Sequence, residues 1–196
     1  MKKLQMNKKL YVLICLLAFP FLITGCTNYA KQYDSNTLVV SRNGSLVEIS
    51  VEDFKEAAVG ADNISAYVEE QVDNYNNNAG NKIKVKSINT DNLEHVKLVL
   101  SYKDIESYDE FNLLEYSLKD ISDVKEEDLT GSYTSADEKK TNPSDIIAEE
   151  KGKILTISEA TDVVIKGSIM YYNGEVTVKD GIATTSGKND AVIVFK

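Results

Sequence analysis

One stretch of this chain spaces its apolar residues like a long helix, and it lies between stretches that alternate like strands. Ile64, Val68, Val72 and Tyr75 recur at helical spacing, with Glu69, Glu70 and Asp73 on the remaining faces. Asp62 or Asn63 is placed to cap its start. Asn76-Asn77-Asn78-Ala79-Gly80 is placed to end it, because Asn and Gly tolerate left-handed backbone. A helix with one apolar face must bury it, and the plentiful cover here is a sheet. Leu38-Val39-Val40 and Leu46-Val47-Glu48-Ile49 flank Asn43-Gly44, a tight-turn dipeptide that predicts a hairpin. After the helix, Lys82 to Ile88 alternates through Ile83 and Val85. Val96, Leu98, Leu100 and Tyr102 then share one face of a strand, with His95, Lys97, Val99, Ser101 and Lys103 on the other. The order is strand–strand–helix–strand–strand, an α+β arrangement with the helix on an antiparallel sheet.

The C-terminal third is strand-like throughout. Ile154–Ile157, Val163–Ile165, Ser168–Tyr172, Glu175–Lys179, Ile182–Thr185 and Ala191–Phe195 are six strand candidates. Asn173-Gly174, Asp180-Gly181 and Lys188-Asn189-Asp190 supply turns between them. This predicts an antiparallel β-meander that forms a second sheet or continues the first. Ser50 reads as a second helix cap, with Asp53 in its first turn and Phe54 and Ala58 on one face. Between Asp104 and Pro143, Ser107 with Glu110 resembles a capping box for a helical face of Phe111, Leu114, Glu115 and Leu118. Asp120 to Glu127 reads as a solvated acidic turn and Gly131 to Asn142 as a long exposed loop. Pro143 suits the first position of a two-turn helix carrying Ile146 and Ile147.

The first residues have a different character. Lys2, Lys3, Lys8 and Lys9 precede an apolar run from Leu10 to Ile23, and Ile23-Thr24-Gly25-Cys26 follows. That pattern resembles a bacterial lipoprotein signal peptide with its lipobox. The resemblance implies diacylglycerol on the Cys26 thiol, cleavage between Gly25 and Cys26, and a protein anchored to the outer side of the cell membrane. Two other readings stay open: ordinary secretion with an incidental Cys26, and a retained span. The apolar run of 14 residues contains Pro20, whereas a span wants about 20. Met6 is an alternative start. The expected organisation is a leader at 1–25, a polar tether at 26–37 and one extracellular domain at 38–196. That domain is either a single unit or two subdomains, 38–103 and 144–196. The Lys/Asn/Tyr-rich, arginine-poor composition is also similar to that of small lipoproteins of low-GC Gram-positive bacteria.

Several chemistries lose ground on composition. Removal of the leader takes four of the 22 basic residues and none of the 31 acidic ones, leaving 18 against 31, a net −13. Nucleic acid is then an expected non-partner, for want of a basic stripe. No polybasic segment exists either, so membrane contact is expected to depend on the lipid. Cys15 departs with the leader and Cys26 is spent on the anchor, which leaves no thiol for a disulfide or a nucleophile. The one histidine, His95, is a poor basis for a triad or a zinc site. Neither glycine-rich phosphate-loop pattern occurs.

What remains is weak. Calcium at Asp120, Asp123 and Glu127, with Glu126 and Asp128 nearby, lacks the loop spacing and central glycine of an EF-hand. Arg42, the sole arginine, suits bidentate carboxylate recognition or a pair with a neighbouring acid. Tyr171 and Tyr172 point to opposite faces if they lie in a strand, so they make no common platform. The leading expectation is a lipid-anchored extracytoplasmic module that binds an envelope protein, a glycan or a small ligand through sheet edges or loops, without catalysis and without a cofactor. A carboxylate-based glycan hydrolase is the first alternative. A concave cleft with two carboxylates about 5–10 Å apart, one of raised pKa, would favour it. A structural or regulatory subunit of an envelope complex is the second, and an exposed apolar patch would mark it.

Overall fold

The computed structural model describes residues 28–55, 60–149 and 151–196. The leader, Gly25, Cys26 and Ala58 lie outside the described residues. The chain begins with a short helix, α1 (Tyr29–Gln32), then a hairpin of β1 (Thr37–Ser41) and β2 (Leu46–Glu52). The long helix α2 (Ala61–Ala79) follows, then β3 (Ile83–Asn89) and β4 (Val96–Tyr102). Next come α3 (Ile105–Asn112), β5 (Ser117–Asp120), β6 (Tyr133–Ser135), β7 (Lys140–Thr141) and α4 (Pro143–Ile147). The six C-terminal strands are β8 (Lys153–Ile157), β9 (Asp162–Lys166), β10 (Ile169–Asn173), β11 (Val176–Lys179), β12 (Ile182–Thr185) and β13 (Ala191–Phe195). The fold is α+β, with one main helix and a C-terminal meander, as the hydrophobic periods predict.

The strands form two sheets. Seven lie in the order β11-β12-β9-β1-β2-β4-β3, and six in the order β5-β8-β13-β10-β6-β7. All pairs are antiparallel except β1 with β9, which run parallel from Thr37↔Asp162 to Ser41↔Lys166. The meander therefore does not stay in one sheet. Strands β9, β11 and β12 join the seven-stranded sheet, while β8, β10 and β13 join the other. Segments 38–103 and 144–196 are joined in one sheet by the parallel pairing of β1 with β9.

The two sheets face each other across a shared core. Leu38, Val40, Val163 and Ala183 meet Leu155, Ile157, Ile193 and Phe195 there. This second sheet covers only one end of the inner face. Over β2, β4 and β3 the cover is α2, whose Ile64 and Val72 are buried, joined by α3 through Tyr108 and Phe111. Burying each such aliphatic side chain is worth about 1.5–3 kcal/mol, which holds α2 to the sheet. The helix has Gly60 as its N-cap rather than Asp62 or Asn63. It ends at Gly80, whose φ of 73° lies where a Cβ would strain the backbone.

Several local expectations are corrected. Ser50 caps no helix, because β2 runs on to Glu52 and pairs with β4 along its whole length. The cap of α3 is Asp104, whose carboxylate accepts the Ser107 N–H at 3.1 Å, and α3 stops before Leu114 and Leu118. The expected loop at 131–142 holds the β6–β7 hairpin, with Tyr133 fully buried against Ile121, Leu129 and Ile146. The expected tether is also structured from Asn28 onward. Tyr29, Ala30 and Tyr33 pack on Val39, Ile49 and Val99, on the outer side of the seven-stranded sheet. The Lys97 ammonium clamps that segment, donating to Ala30 O at 2.7 Å, Tyr33 O at 2.8 Å and Asp34 Oδ1 at 2.8 Å. A polar, aperiodic segment is docked because one buried lysine satisfies its carbonyls. Among the described residues no helix is long and apolar enough to cross a membrane.

Candidate functional site

Strand β2 places a carboxylate where its alternation calls for a core residue. Leu46 faces the interior, so Glu48 and Ser50 face it too, while Val47, Ile49 and Val51 face outward. Glu48 lies where the second sheet ends and the helices begin, and the incomplete join leaves a cleft of about 510 Å³. Its floor is Glu48, Ser50, Leu98 and Leu100. One wall is the α2 flank with Tyr67, Gln71, Asn74, Tyr75 and Asn78, and the other is α3 with Glu110, Phe111 and Asn112.

The floor is held by a short polar chain. Asn112 Nδ2 donates to Tyr102 Oη at 3.3 Å, and that hydroxyl donates to Glu48 Oε2 at 2.5 Å. Ser50 Oγ donates to Glu48 Oε1 at 3.1 Å. Burial still pushes the Glu48 carboxyl above the usual carboxylate range, against the pull of those donors. Burial also raises the Tyr102 phenol, and the Glu48 charge adds to the effect. The Tyr102 hydroxyl therefore stays a protonated donor at neutral pH.

The wall carries a second carboxylate. Tyr75 Oη donates to Glu110 Oε2 at 2.7 Å; burial first, then the Glu110 bond and charge, push its pKa up to about 12. The Tyr75 and Phe111 rings meet edge-on at 5.8 Å, and Tyr67 stands 63% exposed at the rim. Behind Glu48 the rings continue inward, with Tyr102 to Tyr108 at 5.0 Å and Tyr108 to Tyr116 at 5.5 Å. Tyr116 Oη reaches Glu159 Oε2 at 3.2 Å. Glu48 and Glu159 both line a polar cavity of about 160 Å³ on that side.

The residues singled out in the sequence lie elsewhere. Asp120 pairs with Lys153 at 2.8 Å and Glu127 with Lys125 at 3.4 Å, while Asp123 is exposed at the end of a 3₁₀ turn. Among the described residues no group of three or more His, Cys, Asp or Glu side chains is placed to hold a metal ion. Arg42 is exposed and makes no ion pair among the described residues; it lies beside Gly167, where an added Cβ would sit 3.0 Å from its Nε. His95 is exposed on a 3₁₀ turn before β4. Tyr171 and Tyr172 do face opposite ways, Tyr171 donating to Glu149 at 2.9 Å and Tyr172 packing between the sheets.

Sequence reasoning passed over Glu48, one acid among 31. The available signal was its phase, two residues from Leu46 in a strand apolar on both faces. Tyr102 was assigned to the correct face, but nothing local marks its pairing with Glu48 across the sheet. No protein-family model matches the chain, and no curated protein or solved structure does either.

Proposed function

We propose that this chain is a lipid-anchored extracytoplasmic binding module whose ligand, a glycan segment, lies in the cleft beside Glu48. The anchor rests on Ile23-Thr24-Gly25-Cys26 and the apolar run before it. The observation that carries the binding reading is the composition of the cleft. Aromatic rings (Tyr67, Tyr75, Phe111) line it together with planar amides (Gln71, Asn74, Asn78, Asn112) and two carboxylates, Glu48 and Glu110. Ring faces suit the C–H faces of a sugar, and the amides and carboxylates suit its hydroxyls. The volume falls in the range of small-ligand sites. Titration of the mature chain with soluble cell-wall oligosaccharides, followed by NMR, tests the reading. Shifts should cluster at Tyr67, Tyr75 and Asn112. Tyr67→Ala should weaken binding roughly 2- to 10-fold, the worth of one stacking contact. Shifts confined to other surfaces would refute it.

A second reading is favoured by one observation: Glu48 has a raised pKa and shares the cleft with Glu110. Two carboxyl groups sharing a cleft, one of raised pKa, are the kind of pair that glycoside hydrolysis uses. Turnover of the bound oligosaccharide that Glu48→Gln abolishes, with binding retained, would establish it. Binding without turnover in the parent chain would leave the module non-catalytic.

A further inference from the structure

The outer side of the seven-stranded sheet can be followed strand to strand as one row of neighbours. The row reads Lys84, Ser101, Val47, Val39, Val164, Ile182, Lys179, from one edge of the sheet to the other. Residues paired across a ladder point to the same side, so this face has a lysine at each edge and an apolar centre. The adjoining rows add Lys97, opposite Val51, Lys166, opposite Ser41, and Asp162, opposite Thr37. Four lysines thus share the strands of this face with one aspartate, in a chain where acids outnumber bases 31 to 22. Lys97 is buried under α1, whereas Lys84, Lys166 and Lys179 are exposed. No run of sequence is basic; the pleat collects what the sequence disperses.

The N-terminal segment crosses this same face. Tyr29, Ala30 and Tyr33 pack on its centre, and the Lys166 ammonium lies 4.9 Å from the Tyr29 ring centroid. Cys26 precedes Asn28 by two residues, and two Cα–Cα steps reach at most about 7.6 Å. A lipid on Cys26 therefore enters the bilayer beside this face and not beside the cleft, which opens on the other side of the sheet.

We propose that the outer face of the seven-stranded sheet is the membrane-facing surface, held against anionic lipid headgroups by Lys84, Lys166 and Lys179. This rests on the anchor reading above. Lipid chemistry supplies the position, and the lysines supply the orientation, since each ammonium near an anionic surface gains from the headgroup charge. The cleft is then turned away from the bilayer toward whatever passes outside it.

The test uses the full chain, processed in a Gram-positive host, purified from membranes and returned to phosphatidylglycerol-rich vesicles. With Cys26 acylated and Cys15 removed, a cysteine introduced by Thr177→Cys or Ser122→Cys is the sole thiol for a fluorophore. Thr177 is exposed on the proposed face, two pairs from Asp162 in its row, and Ser122 is exposed beyond the opposite sheet. A lipid-borne quencher should quench the Thr177 label several-fold more than the Ser122 label. Lys84→Glu with Lys179→Glu should bring that ratio close to one, since each lysine near the surface gains from the headgroup charge, and phosphatidylcholine vesicles should lower it too. Acylated protein with equal quenching at both labels overturns the proposed face while leaving the anchor standing. Unequal quenching that ignores both charge changes overturns the headgroup contact. A free Cys26 thiol, seen by mass and by double labelling, overturns the anchor and this proposal together.

Discussion

The inner face of the seven-stranded sheet has two covers, and they leave different interiors beneath them. Under the second sheet, Val163, Ala183, Leu155 and Ile193 are all fully excluded from solvent. Under α2 and α3, the same sheet presents Glu48 and Ser50 to a cleft of about 510 Å³. Geometry accounts for the contrast. Two facing sheets interdigitate side chains over their whole area at about 10 Å separation. A helix touches a sheet along one stripe, here through Val68, Val72 and Tyr75, and its flanks overhang. Polar side chains and a ligand-sized space coincide where the cover is a cylinder and the floor is a plane.

Mutation at the two ends should separate them. The largest effect is expected at the sheet-covered end: Leu155→Ala should cost about 2–5 kcal/mol in urea denaturation, for lost contacts and an unrelaxed cavity. Val68→Ala on the α2 stripe should cost clearly less, because Val68 is only half-buried. Equal costs would erase the distinction. Tyr102→Phe comes next, at about 1–3 kcal/mol, since it strips a buried carboxylate of a donor. The same variant should raise the Glu48 pKa further when followed by carboxyl NMR.

Acidity provides a third test. The folded Glu48 pKa lies above its ordinary value of 4.5, so the native state holds a proton that the unfolded chain has released. The stability this gives is fully present below pH 4.5 and is lost as pH rises through the folded pKa. Glu48→Gln should remove that decline, and the difference between the two stability–pH profiles isolates the group. A profile of unchanged slope would show that Glu48 is not desolvated. The smallest effect is expected at the rim, where Tyr67→Ala should change stability by no more than about 0.5 kcal/mol. A larger loss would mean that Tyr67 is structural and the cleft closed.

Period and turn chemistry made the elements legible: α2 and all six C-terminal strands follow from spacing and from Gly-containing turns. Membership of the sheets was not legible, because it depends on pairs such as Thr37↔Asp162 that no local signal records. Turn signals specify hairpins only; β9 and β10 are separated by Gly167 and Ser168, yet they belong to opposite sheets. The three-residue strand at Tyr133 is too short to show alternation, so its burial was invisible. Ser50 was misread because its type suggests a local helix cap, whereas its strand is paired with β4 along its whole length. The cleft failed to appear in the sequence on the same ground, since Glu48, Tyr102 and Asn112 meet only after β2, β4 and α3 have assembled.

The position of β13 sets the order in which the molecule can be completed. Residues 191–195 form the third strand of six, bonded to β8 on one side and β10 on the other, with Ala191, Ile193 and Val194 wholly enclosed. Until they arrive, β8 and β10 have no common neighbour, and the greasy inner side of the larger sheet lacks its lid. Without β13, the edges of β8 and β10 that it covers are open ladders, which are prone to pairing with other chains. The strand that joins β8 to β10 thus also hides two edges from other chains, and a chain cut before Ala191 is expected to aggregate, which light scattering checks.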